Sequence, residues 1–559
     1  MFTSLTIENF KAFAKSQSIP LRPITLLFGA NSSGKSSAIH ALLVLKQTLE
    51  ESEDRNRALL PKGSLVDLGS FKELSFAHRT EFPVRIGLGL RLEDLPRSAR
   101  RQMNRKHSSD LEEGHMVFSF SAKSGNVELT AFELQSPLGE TVLESKLQPG
   151  RSRPALANEV PELFFSMGEP PGGRAFSPVK VSREPRLYEK HWYRLEPELD
   201  QRRDQMKDEL TQLTRHLKML KKRFPRREKG PTKESDEQYG EEVTFYTEQV
   251  KRLRAAIRRT NSYSLEKFIE DSVETQKAQR FRMRNFLPIA LMPGKRDSPV
   301  FEQLYGGVGR GRHAQQRGVP SGAVLAETAY NLGYAMMMLL PQIVYLGPLR
   351  SHPQRHYIFS GSIPTDVGKA GGSMPDLLFK RPELVGKVNT WLERFGADCE
   401  IQMSTVGDEH ISDVYSLRLV DKSTGVSVSA LDVGFGISQI LPILVQGLLN
   451  RNNTLLIEQP EIHLHPRLQA EFGSFLAEAI GDNRNNQFII ETHSEHLLLR
   501  LQRLVRKGTL RPEDVSIVYV QKTKAGSVTS SLRMDEEGAF IDRWPDGFFE
   551  EGFVERFGS

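Results

Sequence analysis

The feature that most constrains this chain is the run PITLLFGANSSGKSSAIHALLVLKQTL near its N-terminus. A short apolar stretch enters a glycine-flanked loop and an amphipathic stretch leaves it, the pattern of a buried strand, a tight turn and a helix. Gly29, Ala30, Asn31, Ser32, Ser33, Gly34, Lys35 and Ser36 match G-x-x-x-x-G-K-[ST] at every fixed position, and Ser37 carries the pattern into the helix. In such a loop the backbone N–H groups and the helix N-terminus face an anion, Lys35 supplies a cation, and Ser36 offers a hydroxyl to a metal. The sequence therefore predicts an α/β fold of the P-loop kind that binds the phosphates of ATP together with Mg²⁺.

The chain has 559 residues, more than one small core can use, and 38% hydrophobic and 26% charged residues are ordinary for a globular protein. Its first residues show neither the basic region nor the apolar run of a secretory leader. The most apolar stretch, residues 335–346, is interrupted by Pro341 and Gln342 and reads as a buried helix followed by a strand, not a membrane span. Cys399 is the only cysteine, so no internal disulfide can form, and a reducing, cytoplasmic location is expected. The thiol itself reads as a small core residue.

The net charge of +6 is concentrated: residues 201–260 hold 17 Lys/Arg against 10 Asp/Glu, which leaves the rest of the chain at −1. In the same region Leu199, Met206, Leu210, Leu213, Leu217, Leu220 and Phe224 follow a heptad spacing, and so do Val243, Tyr246, Val250, Leu253 and Ile257. Between them lies FPRREKGPTKESDE, whose prolines and glycine break helices. Two heptad arms around a breaker predict an antiparallel coiled-coil hairpin reaching about 35–40 Å, with Arg203 interrupting the seam of the first arm.

Strands are expected at residues 84–90, 116–121 and 127–132, and loops at 92–110, 170–174 and 306–322. After the hairpin, α/β texture returns with IVYLGPLR, a strand-like passage over 414–428, and a helix over 437–449. The chain thus divides into an N-terminal lobe (1–185), a helical insertion (186–290) and a C-terminal lobe (291–559).

Three downstream segments complete the chemistry. TLLIEQPEIHLHP is an apolar strand ending in Glu458, a carboxylate placed to hold Mg²⁺ opposite the loop. QFIIETHSEH ends another buried strand near His493, which is placed to reach a γ-phosphate or orient water. In ALDVGFGISQILPIL, Gly434, Gly436, Ser438 and Gln439 sit at a loop-to-helix junction suited to an anion.

Together NFKAF, GANSSGKS, VGFGISQ, IEQPEIHLHP and ETHS resemble the ABC-type ATPases of the SMC, RecF and OLD kind. LGPLR at residues 346–350 and WPDGFF at 544–549 are similar to OLD-like AAA ATPases in particular. The resemblance covers about residues 1–90 and 340–549. It implies a head that pairs with a second copy, as a homodimer or a higher even oligomer, and sandwiches two ATP molecules. Each site would take residues 29–36, Glu458 and His493 from one subunit and residues 434–438, the signature motif, from the other. It also implies that the HLHP segment contacts the partner head, so the zinc-like spacing of His463 and His465 is not read as a metal site.

Two departures bear on rate. Where such ATPases carry a glutamate after the Mg²⁺ carboxylate, this chain has Gln459, which can orient water but cannot take its proton. Glu461 is the nearest replacement base. Slow turnover and a long-lived ATP-bound dimer are therefore expected. The glutamine that senses nucleotide after the first helix has no clear counterpart, LGSFKELSF being the nearest region. OLD nucleases continue into an acidic TOPRIM domain, but only 66 residues follow His493 here, and Asp535, Glu536 and Glu537 read as a surface run. The resemblance thus implies a switch that controls a separate effector, a nuclease or toxin, in anti-phage defence. Genome maintenance and a non-hydrolysing scaffold remain alternatives, and no membrane partner is expected.

Residues 215–233, the hairpin tip, hold nine Lys/Arg and one acid. That run is either a solvated face or a contact for DNA phosphates or an acidic protein; few aromatics interleave, which favours backbone contact over base stacking. Replacing Lys221, Lys222, Arg223, Arg226 and Arg227 by Glu tests it. A DNA contact predicts loss of affinity and a shallower salt dependence in a binding titration, and unchanged strength and slope exclude it.

Overall fold

The computed structural model describes residues 1–54, 57–91, 113–123, 126–147, 175–223, 233–292, 324–406, 413–432, 435–449, 452–481, 485–545 and 558. The three expected loops, Phe224, Arg226, Arg227, Gly434 and residues 546–549 lie outside them.

A six-stranded sheet organises the chemistry. Its strands are β3 (Ile24–Phe28), β11 (Ile343–Leu346), β16 (Thr454–Glu458), β17 (Gln487–Glu491), β18 (Val515–Thr523) and β19 (Gly526–Leu532), in the order β11-β16-β17-β3-β18-β19. All neighbours are parallel except the β18–β19 edge. β3, β16 and β17 are buried along their whole length, as a parallel sheet covered on both faces requires. Side-chain alternation divides them between two cores: Leu27, Leu456 and Ile489 face one, while Leu26, Phe28, Leu455, Ile457, Phe488 and Ile490 face the other. Helix α1 (Lys35–Glu51) lies on the first face, and the second is covered by α6 (Phe435–Leu449), α7 (Pro466–Ile480) and α8 (Glu495–Arg506). Because β3 comes from the N-terminal lobe and its neighbours from the C-terminal lobe, the two expected lobes share this sheet.

The first core continues into a nine-stranded antiparallel sheet. It contains β1 (Phe2–Glu8), β2 (Gln17–Pro20), β4 (Val84–Arg91), β5 (Glu113–Lys123), β6 (Asn126–Gln135), β7 (Thr141–Leu147), β8 (Ala175–Val181), β9 (Arg280–Arg284) and β10 (Leu287–Met292). The strands read at 84–90, 116–121 and 127–132 are β4, β5 and β6. Helix α5 (Val324–Leu339) packs on this sheet and leads through a turn at Leu340–Gln342 into β11, the buried helix and strand expected at 335–346. The passage read as one strand over 414–428 is instead a hairpin, β14 (Val414–Asp421) and β15 (Ser427–Ser429), which joins β12 (Tyr357–Ile358) and β13 (Cys399–Thr405). Asp421 turns it by accepting bonds from the backbone N–H groups of Ser423 and Thr424 at 3.0 and 2.7 Å. Cys399 is half-buried on β13.

The heptad segments form α2 (Glu189–Arg223) and α3 (Lys233–Asn261), which pack antiparallel: the His216 ring lies tilted against Tyr246 at 4.7 Å, and the Tyr239 hydroxyl donates to the Leu220 carbonyl. Arg203 leaves the seam to donate to the Thr260 carbonyl at 2.9 Å, so its charge serves the arm pairing at the base. Burial fades along the arms, from Leu199 at 1% and Met206 at 5% exposed to half-buried Leu213, Leu217 and Leu220. Residues 265–290, read from sequence as part of the insertion, lie in α4 (Leu265–Ala278) and in the sheet strands β9 and β10. The two arms of the hairpin are residues 189–223 and 233–261. Among the described residues no helix is long and apolar enough to cross a membrane.

Candidate functional site

The loop after β3 is shaped by contacts on all sides. Gly29 and Gly34 have φ of +142° and +107°, and a Cβ at Gly29 would lie 2.2 Å from the Val520 carbonyl oxygen. Ser527 Oγ donates to the Ser33 carbonyl at 2.6 Å, so β19 braces the loop from behind. Trp544, from the WPDGFF segment, stands edge-on to Phe28 at 5.6 Å and supports the strand that carries the loop.

Lys35 folds back across the loop and donates to the carbonyls of Gly29 and Ala30 at 2.9 and 3.0 Å. Burial pulls its pKa down, with Glu491 and Glu461 opposing the fall. Ser36 Oγ donates at 2.6 Å to Glu491 Oε2, and Lys35 Nζ is 3.8 Å from Glu491 Oε1. The sequence reading did not single out Glu491.

Glu458 sits beside it, directly in register across β16 and β17. Its Oε1 accepts the Tyr345 hydroxyl at 2.9 Å and lies 3.8 Å from His40 Nε2, while its carbonyl accepts from Arg350 Nη2 at 3.0 Å. Burial pushes the Glu458 carboxyl up to about 7; the Tyr345 bond opposes the rise and Glu491 adds to it. His40 is held down to about 4 by burial and by Lys11 and Lys369, so its imidazole is neutral at pH 7. Arg350, the arginine of LGPLR, is 4% exposed, and its Nε and Nη1 have no hydrogen-bond partner among the described residues. Burial lowers its pKa to about 10. It stays charged at pH 7.

Gln459 is half-buried with φ of +45°, an unusual conformation for a side-chain-bearing residue, held by its N–H donating to the Glu491 carbonyl at 2.8 Å. Glu461 is fully engaged. Its Oε2 accepts the Thr492 hydroxyl at 2.8 Å and its Oε1 the His493 N–H at 2.7 Å, which fixes the segment that carries His493. Burial raises the Glu461 pKa and those two bonds oppose the rise. His493 is half-buried, and burial and Lys35 lower its pKa.

Gly436, Ser438 and Gln439 lie within the first turns of α6. A Cβ on Gly436 would be 2.6 Å from the His463 carbonyl oxygen, so the start of α6 rests on the HLHP segment. His465 caps α7, its Nδ1 accepting the Arg467 N–H at 3.3 Å. Lys221 and Lys222 are exposed at the end of α2, more than a helical arm away along the chain from these groups.

The residues present fit a magnesium nucleotide. The loop glycines leave backbone where any Cβ would intrude, two carboxylates and a serine hydroxyl offer hard oxygens, and Arg350 is a buried cation with donors unused among the described residues. Ser36, Glu458 and Glu491 could hold the metal, and residues 29–36 the phosphates.

Comparison with known proteins places this geometry in context. A family profile described as "AAA ATPase domain" matches residues 1–87 and 380–498, which carry the loop, α6, β16 and β17. A second, "Protein of unknown function (DUF3696)", matches residues 510–553, which include Trp544. No curated protein matches the chain. Among solved structures it is similar to the Smc head domain with an extended coiled coil bound to the C-terminal domain of ScpA, derived from Pyrococcus furiosus, at 11% identity and a TM-score of 0.34, covering 95% of this chain and 96% of that one. It is also similar to the SMC head domain from Thermotoga maritima at 10% identity and a TM-score of 0.33, covering 95% and 98%. The profile match supports an AAA-type ATPase domain, and the strand order above establishes the α/β sheet.

If Glu461 acts by holding His493, Glu461→Gln and His493→Gln each lower ATP turnover by about tenfold or more at unchanged ATP affinity. The double variant is then no worse than either single one in a phosphate-release assay. Losses that multiply would show two independent roles.

Proposed function

We propose that this chain is an ATP-binding, slowly hydrolysing ATPase whose heads pair across two nucleotides and act as a switch on a separate effector. The observation that carries the reading is the convergence of Lys35 and Ser36, from the loop, with Glu458 and Glu491 at adjacent strand ends. Lys35 has a third donor beyond the two that hold the loop carbonyls, and this donor is offered to a phosphate. Ser36, Glu458 and Glu491 would hold a bound Mg²⁺, which would supply positive charge against the phosphate. The amide of Gln459 orients the attacking water without removing its proton. Glu461 and Thr492 hold His493 at the edge of the site as a neutral imidazole.

Gly436, Ser438 and Gln439, presented at the start of α6, are the groups offered to the nucleotide of a second copy. Closure of that pair would transmit the nucleotide state to the hairpin α2–α3, which would engage DNA or a protein partner. A nuclease or toxin effector in anti-phage defence is the role favoured, with genome maintenance as the alternative. A second reading, an ATP-bound scaffold that does not hydrolyse, is favoured by one observation, the absence of a carboxylate at Gln459.

Phosphate release and light-scattering mass separate these. The switch reading predicts slow release, abolished in Lys35→Ala and accelerated about tenfold or more in Gln459→Glu, with an ATP-dependent doubling of mass in the wild type. No release from either wild type or Gln459→Glu, with ATP still bound, would establish the scaffold. No ATP binding would end both.

A further inference from the structure

We infer that Glu491 is a carboxylate of the cation site, holding the Ser36 hydroxyl and sharing the nucleotide's Mg²⁺ with Glu458; this rests on the ATP-binding reading above. β17 lies between β16 and the loop strand β3, with Glu491 opposite Glu458 on one side and Leu27 on the other. Neighbouring strands are about 4.8 Å apart, so Glu491 starts one strand nearer to Ser36 than Glu458 does. The contacts follow that order. Ser36 Oγ donates to Glu491 Oε2 at 2.6 Å and Lys35 Nζ lies 3.8 Å from Oε1, whereas Glu458 is taken up by Tyr345 and faces His40.

A serine hydroxyl has one proton and two lone pairs, so donating to Glu491 leaves Ser36 a lone pair for a cation. Glu491 is 5% exposed and Glu458 7%, and two buried carboxylates side by side call for a positive partner beyond Lys35. An oxygen set of one hydroxyl and one or two carboxylates, completed by phosphate and water, suits Mg²⁺. An independent observation points to the anion that accompanies such a cation: Arg350, buried beside Glu458, has two guanidinium nitrogens without a partner among the described residues. The site is therefore built for a metal–phosphate pair, with Glu491 as the carboxylate nearest the loop.

The test measures metal binding apart from turnover. Mn²⁺ affinity is read by electron paramagnetic resonance on the full chain with a non-hydrolysable ATP analogue, and binding of a fluorescent ATP analogue is read in EDTA. Glu491→Gln is expected to weaken Mn²⁺ by about tenfold or more, with nucleotide binding in EDTA unchanged or tighter because a negative charge beside Lys35 is gone. Glu491→Asp, which keeps the charge, is expected to lie between, and melting curves establish that both variants fold. Wild-type Mn²⁺ affinity in a folded Glu491→Gln would overturn the inference, whatever happens to hydrolysis. Should Glu491→Gln fail to fold, wild-type Mn²⁺ affinity in Glu491→Asp overturns it equally. If the wild type itself binds no analogue, the ATP-binding reading fails instead.

Discussion

A parallel sheet buried on both faces can present polar chemistry only where its strands end. Here β3, β17 and β16 end together, and their register sets Leu27, Glu491 and Glu458 side by side beneath the loop. Everything else in the site adjusts to that edge. Two ionised carboxylates about 5 Å apart repel by about 3 kcal/mol at an effective dielectric of 20. Lys35 offsets this for Glu491, and the Tyr345 hydroxyl for Glu458, yet burial still drives Glu458 toward its protonated form. A divalent cation converts the repulsion into attraction, which makes the pair an electrostatic reason for binding metal and nucleotide together.

The groups around that edge supply order more than further charge. Glu461 ties the two functional segments to each other by accepting from Thr492 and His493. The left-handed conformation of Gln459 is held by its bond to Glu491, so this residue and the carboxylate nearest the loop are joined through backbone. Arg350 pins the end of β16 by bonding the Glu458 carbonyl. The hairpin stands apart from this chemistry. Its base is buried around Trp192, Tyr263 and Phe268, while its arms are only half-buried, which suits a lever and not a core.

Much of this was legible in the sequence because it is local or periodic. Residues 29–36 carry their own conformational and chemical requirements, and heptads reveal α2 and α3 without help from the fold. Glu491, Tyr345 and Arg350 were missed because their roles depend on which strands become neighbours, a relation between segments far apart in the chain. One signal was present: TLLIE and QFIIE both end an apolar strand in Ile-Glu, and Glu491 is the second of that pair. His40, four residues beyond Ser36, could have been found from helical spacing. The hairpin boundary was drawn too far downstream because α4 continues the helical texture, and only pairing with β8 shows that β9 belongs to the sheet. The passage at 414–428 was read as one strand because its turn, set by Asp421, is built from side-chain bonds.

The central claim is that loop and carboxylate pair form one site whose ligand is the metal and nucleotide together. Thermal unfolding of the wild type with Mg²⁺ alone, ATP in EDTA, and Mg²⁺ with ATP measures it directly, because a ligand that binds only the folded state raises the melting temperature. The account predicts that Mg²⁺ with ATP raises it by more than the two separate increments combined. Equal stabilisation by ATP in EDTA, or none under any condition, would contradict it.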